Sequence, residues 1–591
     1  MRTWGTGLLL AAWLWPAAIA LAQAPLPPVP APSQVAPPVI APAPSVATRI
    51  ALPQVQAGGD VPAAAKKLFF VLIDFDIQDE FPELVATRRE LAAPLIGKRI
   101  SVADVFEFAN KLQQAYVRAG YPLVRVVITP QELGKDARVK MRVVDGFIER
   151  IDVSAIGAPV RERVGAVVAP LLFRRHLMQA DLERWLLIAG ETPGLVLNAI
   201  FTAGKEIGGS VLVLTGRYRP VSASLYMDNA MPTSFGTMQV VTSVAENGLF
   251  GLGEQFLVQF AGFPNEDFTH YYPTRRYMTA ALRVPIGGNG WWLELLGTNG
   301  KTTPHVPIQQ AASFGLLDQT RTRLVYEAVK RRDYELILNA RYETTDERIE
   351  SLAFLPLGQP PIALSLDRIR AVRTGMDGIW RIRESGTTLG FGVDYSRGLD
   401  VSGARTVQGA LATGGVPLSR QGADAVFTKL NGRFEANQVL GQDVFVTFMA
   451  FGQTSFGHPL LASEQYDIVG AKMMSGLRAG QLPGDAAWAM RGELGRPFAV
   501  TLVQDKPPLL LTPYLFAATG ERILELPTAV EFHSTHARDL GIGTRINLAG
   551  WADFLPDSYA FVEWSSWHIN LVMAPQPKDG SRFFAGMLLQ Y

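Results

Sequence analysis

From about residue 218 onward the chain repeats one pattern, short segments in which apolar and polar side chains alternate with no helical periodicity between them. Met278, Ala280, Leu282 and Val284 alternate with Thr279, Ala281, Arg283 and Pro285, and Leu389, Phe391, Val393 and Tyr395 with Gly390, Gly392, Asp394 and Ser396. The clearest hairpin runs from Thr322 to Glu343. In its second arm Tyr334, Leu336, Leu338, Ala340 and Tyr342 share a face, while Glu335, Asn339, Arg341 and Glu343 share the other, with Ile337 the exception. Such alternation gives each strand one apolar and one polar face. The apolar face keeps a length of roughly nine to ten residues, the span of a tilted strand across hydrocarbon, and Tyr334 and Tyr342 bracket it as an aromatic girdle does. A large soluble β-sandwich also alternates, but the second face here carries charges such as Arg381 and Arg383, beside Trp380 and Ile382. Those are costly in a dry core and comfortable in a wet lumen.

Phe583, Ala585, Met587, Leu589 and Tyr591 continue the alternation to a terminal aromatic residue, Tyr591, expected to bring the last strand against the first and close the sheet. Residues 218–591 number 374. At about 10 residues per strand plus connections they suit a membrane β-barrel of about 16 antiparallel strands, whose lumen is too wide for side chains alone to fill.

Composition narrows the functional classes. Charged residues are 18% of the chain, below the usual ~25%, yet past the N-terminus no apolar run of about 18 residues offers a transmembrane helix. There are no cysteines, hence no disulfides and no thiolate metal sites. A net charge of +1 gives no global attraction to nucleic acid.

Residues 1–22 read as a signal peptide: Arg2, the apolar stretch Leu8–Leu14, and the small-x-small site Ala20-Leu21-Ala22. The apolar run is short for a membrane anchor. Residues 23–65 read as a proline-rich periplasmic tether, since Pro25, Pro27, Pro28, Pro30, Pro32, Pro37, Pro38, Pro42 and Pro44 favour extended polyproline II. A proline-rich recognition motif is the alternative. Ser45–Gln56 is the one candidate for a pore-plugging helix, and Pro53 makes it a poor one.

Two β-α-α-β-β units are expected at 66–146 and 147–217. The first opens with Leu68–Ile73. A helix follows from Ser101, capped with Asp104 close behind, with Val105, Phe108, Leu112, Ala115 and Tyr116 on one face and Gly120 as its stop. Strands are predicted over Leu123–Ile128 and Ala137–Val144, the latter with Arg138, Lys140 and Arg142 on one face. In the second unit the pattern predicts strands at Phe147–Val153, Leu195–Ala203 and Ser210–Thr215, with helices near Val160–Val168 and Met178–Ile188.

Catalytic motifs are absent. Gly300-Lys301-Thr302 ends like a phosphate-binding loop, but the position needing the first glycine is Leu295, so it is expected to be an ordinary loop. His533 and His536 are spaced like metal ligands without a third ligand nearby, and no Gly-x-Ser-x-Gly elbow occurs. The reading is therefore of a non-enzyme without metal or cofactor.

A leader, a tether, two β-α-α-β-β units and a C-terminal barrel resemble the TpsB transporters of two-partner secretion (the ShlB/FhaC/HecB family), whose small units are POTRA domains. That barrel superfamily also contains the barrel-assembly insertases. Tyr226-Met227-Asp228-Asn229 resembles the family's entry into the first strand, and Asn247–Glu254 its first hairpin turn. Gly480-Gln481-Leu482-Pro483-Gly484-Asp485, leading to Trp488 and Met490-Arg491-Gly492-Glu493-Leu494, resembles the segment after the family's lumen loop. The family's loop tip reads Val-Arg-Gly-Tyr/Phe where this chain has Met474-Ser475-Gly476-Leu477, so the Arg is Ser475. Its partner in a Phe-x-Asp-x-Gly motif aligns with Phe516-Ala517-Ala518-Thr519-Gly520, so the Asp is Ala518. Losing one member of a buried ion pair costs about 3–5 kcal/mol, while losing both can be near neutral, and the double loss supports the alignment. Arg478 is a candidate substitute cation.

The resemblance implies outer-membrane translocation of a cognate secreted client, haemolysin- or adhesin-like, by a monomeric barrel in the lipid bilayer, with the POTRA-like units in the periplasm and no role for nucleic acid. A β-rich client is expected to add a strand to an exposed POTRA edge, with Arg138, Lys140 and Arg142 as the candidate client-binding edge. An outer-membrane assembly factor and a passive porin are the competing readings.

Overall fold

The computed structural model describes residues 29–40, 49–51 and 63–591, apart from 133, 135, 264–265, 307–311, 413–414, 442, 471–472, 504–506, 549–557 and 573–576. The expected signal peptide lies outside these residues, as does the plug-helix candidate Ser45–Gln56 except for 49–51.

The first periplasmic unit is a four-stranded sheet in the order Arg99–Ser101, Phe69–Gln78, Asp136–Val144, Arg125–Ile128, covered by the helices Val85–Ala92 and Val102–Arg118. The longer helix starts where a side chain satisfies its free N–H groups: the Ser101 hydroxyl accepts from the Asp104 N–H, and the Asp104 carboxylate accepts from the Ser101 N–H at 2.7 Å. Val105, Phe108, Leu112 and Tyr116 recur on one face and are buried against the sheet, with Phe108 stacked on Phe75 at 3.8 Å between ring centroids. Burial of each such side chain stabilises by about 1.5–3 kcal/mol. One sequence expectation fails here. Strand Asp136–Val144 is not an edge: it pairs in parallel with Phe69–Gln78 and antiparallel with Arg125–Ile128. Ala137, Val139, Met141 and Val143 are buried on one face, and Arg138, Lys140 and Arg142 lie exposed on the other, Arg142 paired with Asp79 at 2.7 Å.

The second unit has the strand order Arg49–Ile50, Leu195–Ala203, Gly209–Tyr218, Phe147–Ala155, with helices Ala158–Val168 and Gln179–Gly190. It is docked on periplasmic turns of the barrel. Arg184 donates to the carbonyls of Glu327 and Ala328 at 3.0 and 3.2 Å, and Lys330 pairs with Glu191 at 2.6 Å.

The barrel begins with Val221–Asp228 and closes through Asp579–Gln590. It has 16 antiparallel strands, one of them interrupted at Arg496-Pro497 into Ala486–Gly495 and Phe498–Val500. At the seam the Tyr591 N–H donates to the Ala223 carbonyl at 2.8 Å, and the Ala223 N–H to the Tyr591 carbonyl at 3.2 Å. Alternation separates the two faces: Met278, Leu338, Tyr395, Leu540 and Phe583 are exposed outward, whereas Glu343, Asn339 and Arg373 are buried inward. Gly300-Lys301-Thr302, expected in a loop, ends the strand Trp291–Thr302 instead, because its neighbour Ser313–Lys330 continues the ladder past it.

Residues 29–40, in the stretch expected to be a periplasmic tether, lie inside the barrel. Pro32–Val35 forms a single 3-10 turn against the inner wall, with Val35 fully buried. Prolines leave carbonyls without matching N–H donors, and a polar lumen supplies those donors.

Candidate functional site

The lumen is filled by two segments, the strap 29–40 and the connection 455–485 between the strands Val444–Thr454 and Ala486–Gly495. This connection turns back into the barrel, and charged groups hold its base. Glu464 receives both terminal nitrogens of Arg373, at 2.7 and 3.0 Å, and pairs with Lys429 at 2.8 Å. Arg373 also donates to Glu343 at 2.6 Å. Asp485 ties the start of the loop to its end, accepting from the Leu460 N–H (3.0 Å), the Gln465 amide (2.9 Å) and the Glu525 N–H (2.9 Å). Gly484 beside it has no room for a side chain, since a Cβ would meet the Ala486 carbonyl at 2.7 Å.

The loop tip rests on the wall formed by the strands Ala486–Gly495, Leu509–Ile523, Ser534–Asn547 and Tyr559–Ile569. Met474, Leu477, Leu482 and Ile468 pack on a floor of Ala487, Ala489, Ala518 and Ala537. Gly520 leaves space for the Met474 thioether, which a Cβ would meet at 2.9 Å. The Gly476 N–H donates to Asp539 at 2.8 Å, and a Cβ on Gly476 would meet Ser565, Asp539 and Trp567. Ser475 is buried, and its hydroxyl accepts from Arg491 at 3.2 Å. Phe516 lies under the Arg491 guanidinium at 3.7 Å. Arg478 is not at this contact: it reaches the Met231 carbonyl at 2.8 Å on the connection after the first barrel strand.

Strap and loop meet. Gly480, at φ +74°, would place a Cβ 2.6 Å from Pro30, and the Gln34 amide reaches the Ala462 carbonyl at 3.4 Å. The wall binds the strap through its carbonyls: Tyr277 donates to Pro32, Arg275 to Val35 (2.9 Å) and Gln259 to Pro38 (3.0 Å). Its N–H groups find acceptors in Glu347, from Ser33 at 2.7 Å, and Gln259, from Ile40 at 2.8 Å. The Gln239 amide bridges the Asp228 carboxylate at 2.8 Å and takes a hydrogen bond from Arg275 at 3.2 Å, which ties the first-strand motif to the strap. Away from both segments the inner wall leaves a cavity of about 430 Å³ lined by Arg321, Arg323, Arg341, Arg433, Asp377 and Asp394.

The structure thus gathers Ser475, Gly476, Leu477, Gly480, Gly484, Asp485, Phe516, Ala518 and Gly520 around one loop, places Arg478 on a neighbouring connection, and puts Arg138, Lys140 and Arg142 in the first periplasmic sheet. Asp539, Glu563, Arg275 and Glu347 have no part in the sequence reading, and Arg491 stands there only within the resembling segment Met490–Leu494. Arg491, beside the outward Met490, and Glu563, between the outward Val562 and Trp564, carry the signal of a charge at an inward position. His533 and His536 serve structural bonds, to the Leu524 carbonyl and the Thr519 hydroxyl.

Comparison with known proteins gives a consistent picture. Residues 73–146 match the ShlB-type POTRA domain, and residues 208–522 match the haemolysin secretion/activation protein family ShlB/FhaC/HecB. The heme/hemopexin transporter protein HuxB of Haemophilus influenzae (strain 86-028NP) is 22% identical over 344 residues, 55% of each chain. The outer membrane transporter CdiB of Dickeya dadantii (strain 3937) is 21% identical over 198 residues, 33% of this chain and 34% of that one. The chain thus spans about half, or less, of the length of the curated relatives it matches. Among solved structures, CdiB from Escherichia coli superposes with a TM-score of 0.64 at 16% identity, covering 91% of this chain and 92% of the other. CdiB from Acinetobacter baumannii gives 0.56 at 13%, covering 89% and 90%.

Proposed function

The chain belongs to the ShlB/FhaC/HecB family of haemolysin secretion/activation proteins, and from that premise we propose that it translocates one cognate secreted protein across the outer membrane. The client, haemolysin- or adhesin-like, is captured in the periplasm by the POTRA-type units and passed through the lumen. The observation that carries this reading is a wide polar barrel whose lumen is filled by two separable segments, strap and loop, held by hydrogen bonds and ion pairs rather than by a continuous dry core. The hydrogen bonds to the strap and the loop tip are individually modest, so these segments can leave while the wall's own ladder stays intact.

Capture needs a free strand edge. The best candidate is Leu195–Ala203 of the second unit. Arg49–Ile50 already lies on it in parallel, with the Ala51 N–H donating to the Ala199 carbonyl at 3.0 Å, while Ile200 beyond it is exposed. A client strand would continue or replace this short pairing. A chain so read needs no catalytic step, since folding outside the cell makes passage irreversible.

A passive porin is disfavoured by the filled lumen. Deleting residues 66–217 and comparing secreted with membrane proteins tests the proposal against an assembly role. Loss of a single secreted protein supports translocation, and a broad loss of other barrels overturns it.

A further inference from the structure

The charges that hold the loop tip all belong to the wall. The Arg491 side chain is fully buried. Its Nε donates to Glu493 and its Nη2 to Glu563, both at 2.8 Å, while Nη1 donates to the Met473 carbonyl at 3.1 Å and the Ser475 hydroxyl at 3.2 Å. Asp539 accepts from the Gly476 N–H at 2.8 Å, and Arg582 donates to the Leu477 carbonyl at 2.7 Å.

Register explains how these groups converge. Arg491 is paired with Ala518, and Ala518 with Asp539, so cation and carboxylate flank one small methyl on three adjacent strands. Two glycines clear the reach to Glu563. A Cβ on Gly541 would lie 2.6 Å from the Phe516 ring, and one on Gly543 would lie 2.5 Å from the Tyr514 ring. Their absence lets both rings lie flat on the wall, and the guanidinium extends over Phe516.

We propose that Arg491 and Asp539 are the positioning residues that anchor the lumen loop of this chain, gripping the backbone of 473–476 from the wall where the loop itself carries Ser475 and the facing strand Ala518. The consequence for gating rests on the translocation reading. When the loop withdraws, Arg491 keeps Glu493 and Glu563, so it gives up a carbonyl and a hydroxyl without itself becoming an unpaired cation, while Asp539 gives up an N–H and Arg582 a carbonyl. A loop held this way leaves and reseats as a unit.

The absence of cysteine makes the test direct. Leu477→Cys places a single thiol at a buried tip position, and its labelling by a membrane-impermeant maleimide is followed in the full-length barrel. Labelling is expected to be slow, and to accelerate at least ten-fold with Asp539→Ala and with the combination Arg491→Met, Glu493→Gln, Glu563→Gln, which removes the cation together with both of its carboxylates. Adding Ser475→Arg and Ala518→Asp to that combination is expected to restore slow labelling. Heat-modifiable migration on gels identifies folded barrels, and if the combination does not fold, Asp539→Ala alone decides. Unchanged labelling in folded variants overturns the anchor, as does equal acceleration by Arg433→Met, a charge elsewhere on the inner wall that pairs with Asp377. Labelling requires no client, so a passed test beside an unaltered chain that secretes nothing refutes translocation and not the anchor.

Discussion

The buried guanidinium of Arg275 donates to the main-chain carbonyl of Val35 at 2.9 Å, so a side chain of the barrel wall holds a residue of the proline-rich strap 240 positions earlier. The pairing follows from the chemistry of proline. The strap is rich in acceptors and poor in donors, and Arg275, Tyr277 and Gln259 present donors from the wall.

Removing two of those donors, with Arg275→Met and Tyr277→Phe, is expected to free the strap. Hydrogen bonds of this kind contribute about 1–3 kcal/mol each, so the unplugged fraction should rise by roughly ten-fold or more. Single-channel conductance in planar bilayers reads this directly, with long closed periods for the unaltered chain and frequent opening for the variant. Equal traces would remove the strap as the seal.

Glu464 accepts from Arg373 and Lys429 at the base of the loop, all three side chains buried. Glu464→Ala leaves two cations without their shared carboxylate, which costs about 3–5 kcal/mol. The expected result is a lower midpoint of guanidinium unfolding in detergent. Replacement of Arg373 alone should be less damaging, because Glu343 keeps Arg321 and Arg341 and Glu464 keeps Lys429.

At the periplasmic edge the Ala199 carbonyl points outward to Ala51, so by period-two alternation Phe201 also turns its N–H toward the free side. Phe201→Pro removes that donor while sparing the inner ladder with Gly209–Tyr218. Client binding should fall about ten-fold against Phe201→Ala, a control for the lost ring, as measured by titration of a labelled N-terminal client fragment. Equal affinities would place capture on another edge.

In the first periplasmic unit, Ser101→Ala deletes the cap of the helix Val102–Arg118. The expected loss is about 1 kcal/mol, read as roughly five-fold faster hydrogen exchange over 102–108 in the full chain, with the barrel amides unaffected.

Legibility from sequence was uneven for physical reasons. The Ser101–Asp104 cap and the apolar stripe Val105, Phe108, Leu112, Tyr116 involve residues within a few turns of one another, and the helix begins where they predict. The barrel face Leu338, Ala340, Tyr342 is equally local. The edge assigned to Arg138, Lys140 and Arg142 failed because alternation reports faces, whereas edge or centre depends on which strands arrive on either side; here Phe69–Gln78 arrives from more than 50 residues away. The proline stretch suggests a spacer because its composition states only that it is extended, not where it lies.

The sequence by itself determined that this chain builds small mixed domains followed by a lipid-facing barrel with a charged interior, since period-two and period-3.6 alternation are properties of neighbouring residues. It also showed that Ser475 and Ala518 cannot form an ion pair. Tertiary structure decided what replaces that pair. Strand register and glycine clearings bring Arg491 to Glu563, 72 positions away, and set Asp539 under the Gly476 N–H, because closing a tilted sheet selects which inward side chains become neighbours.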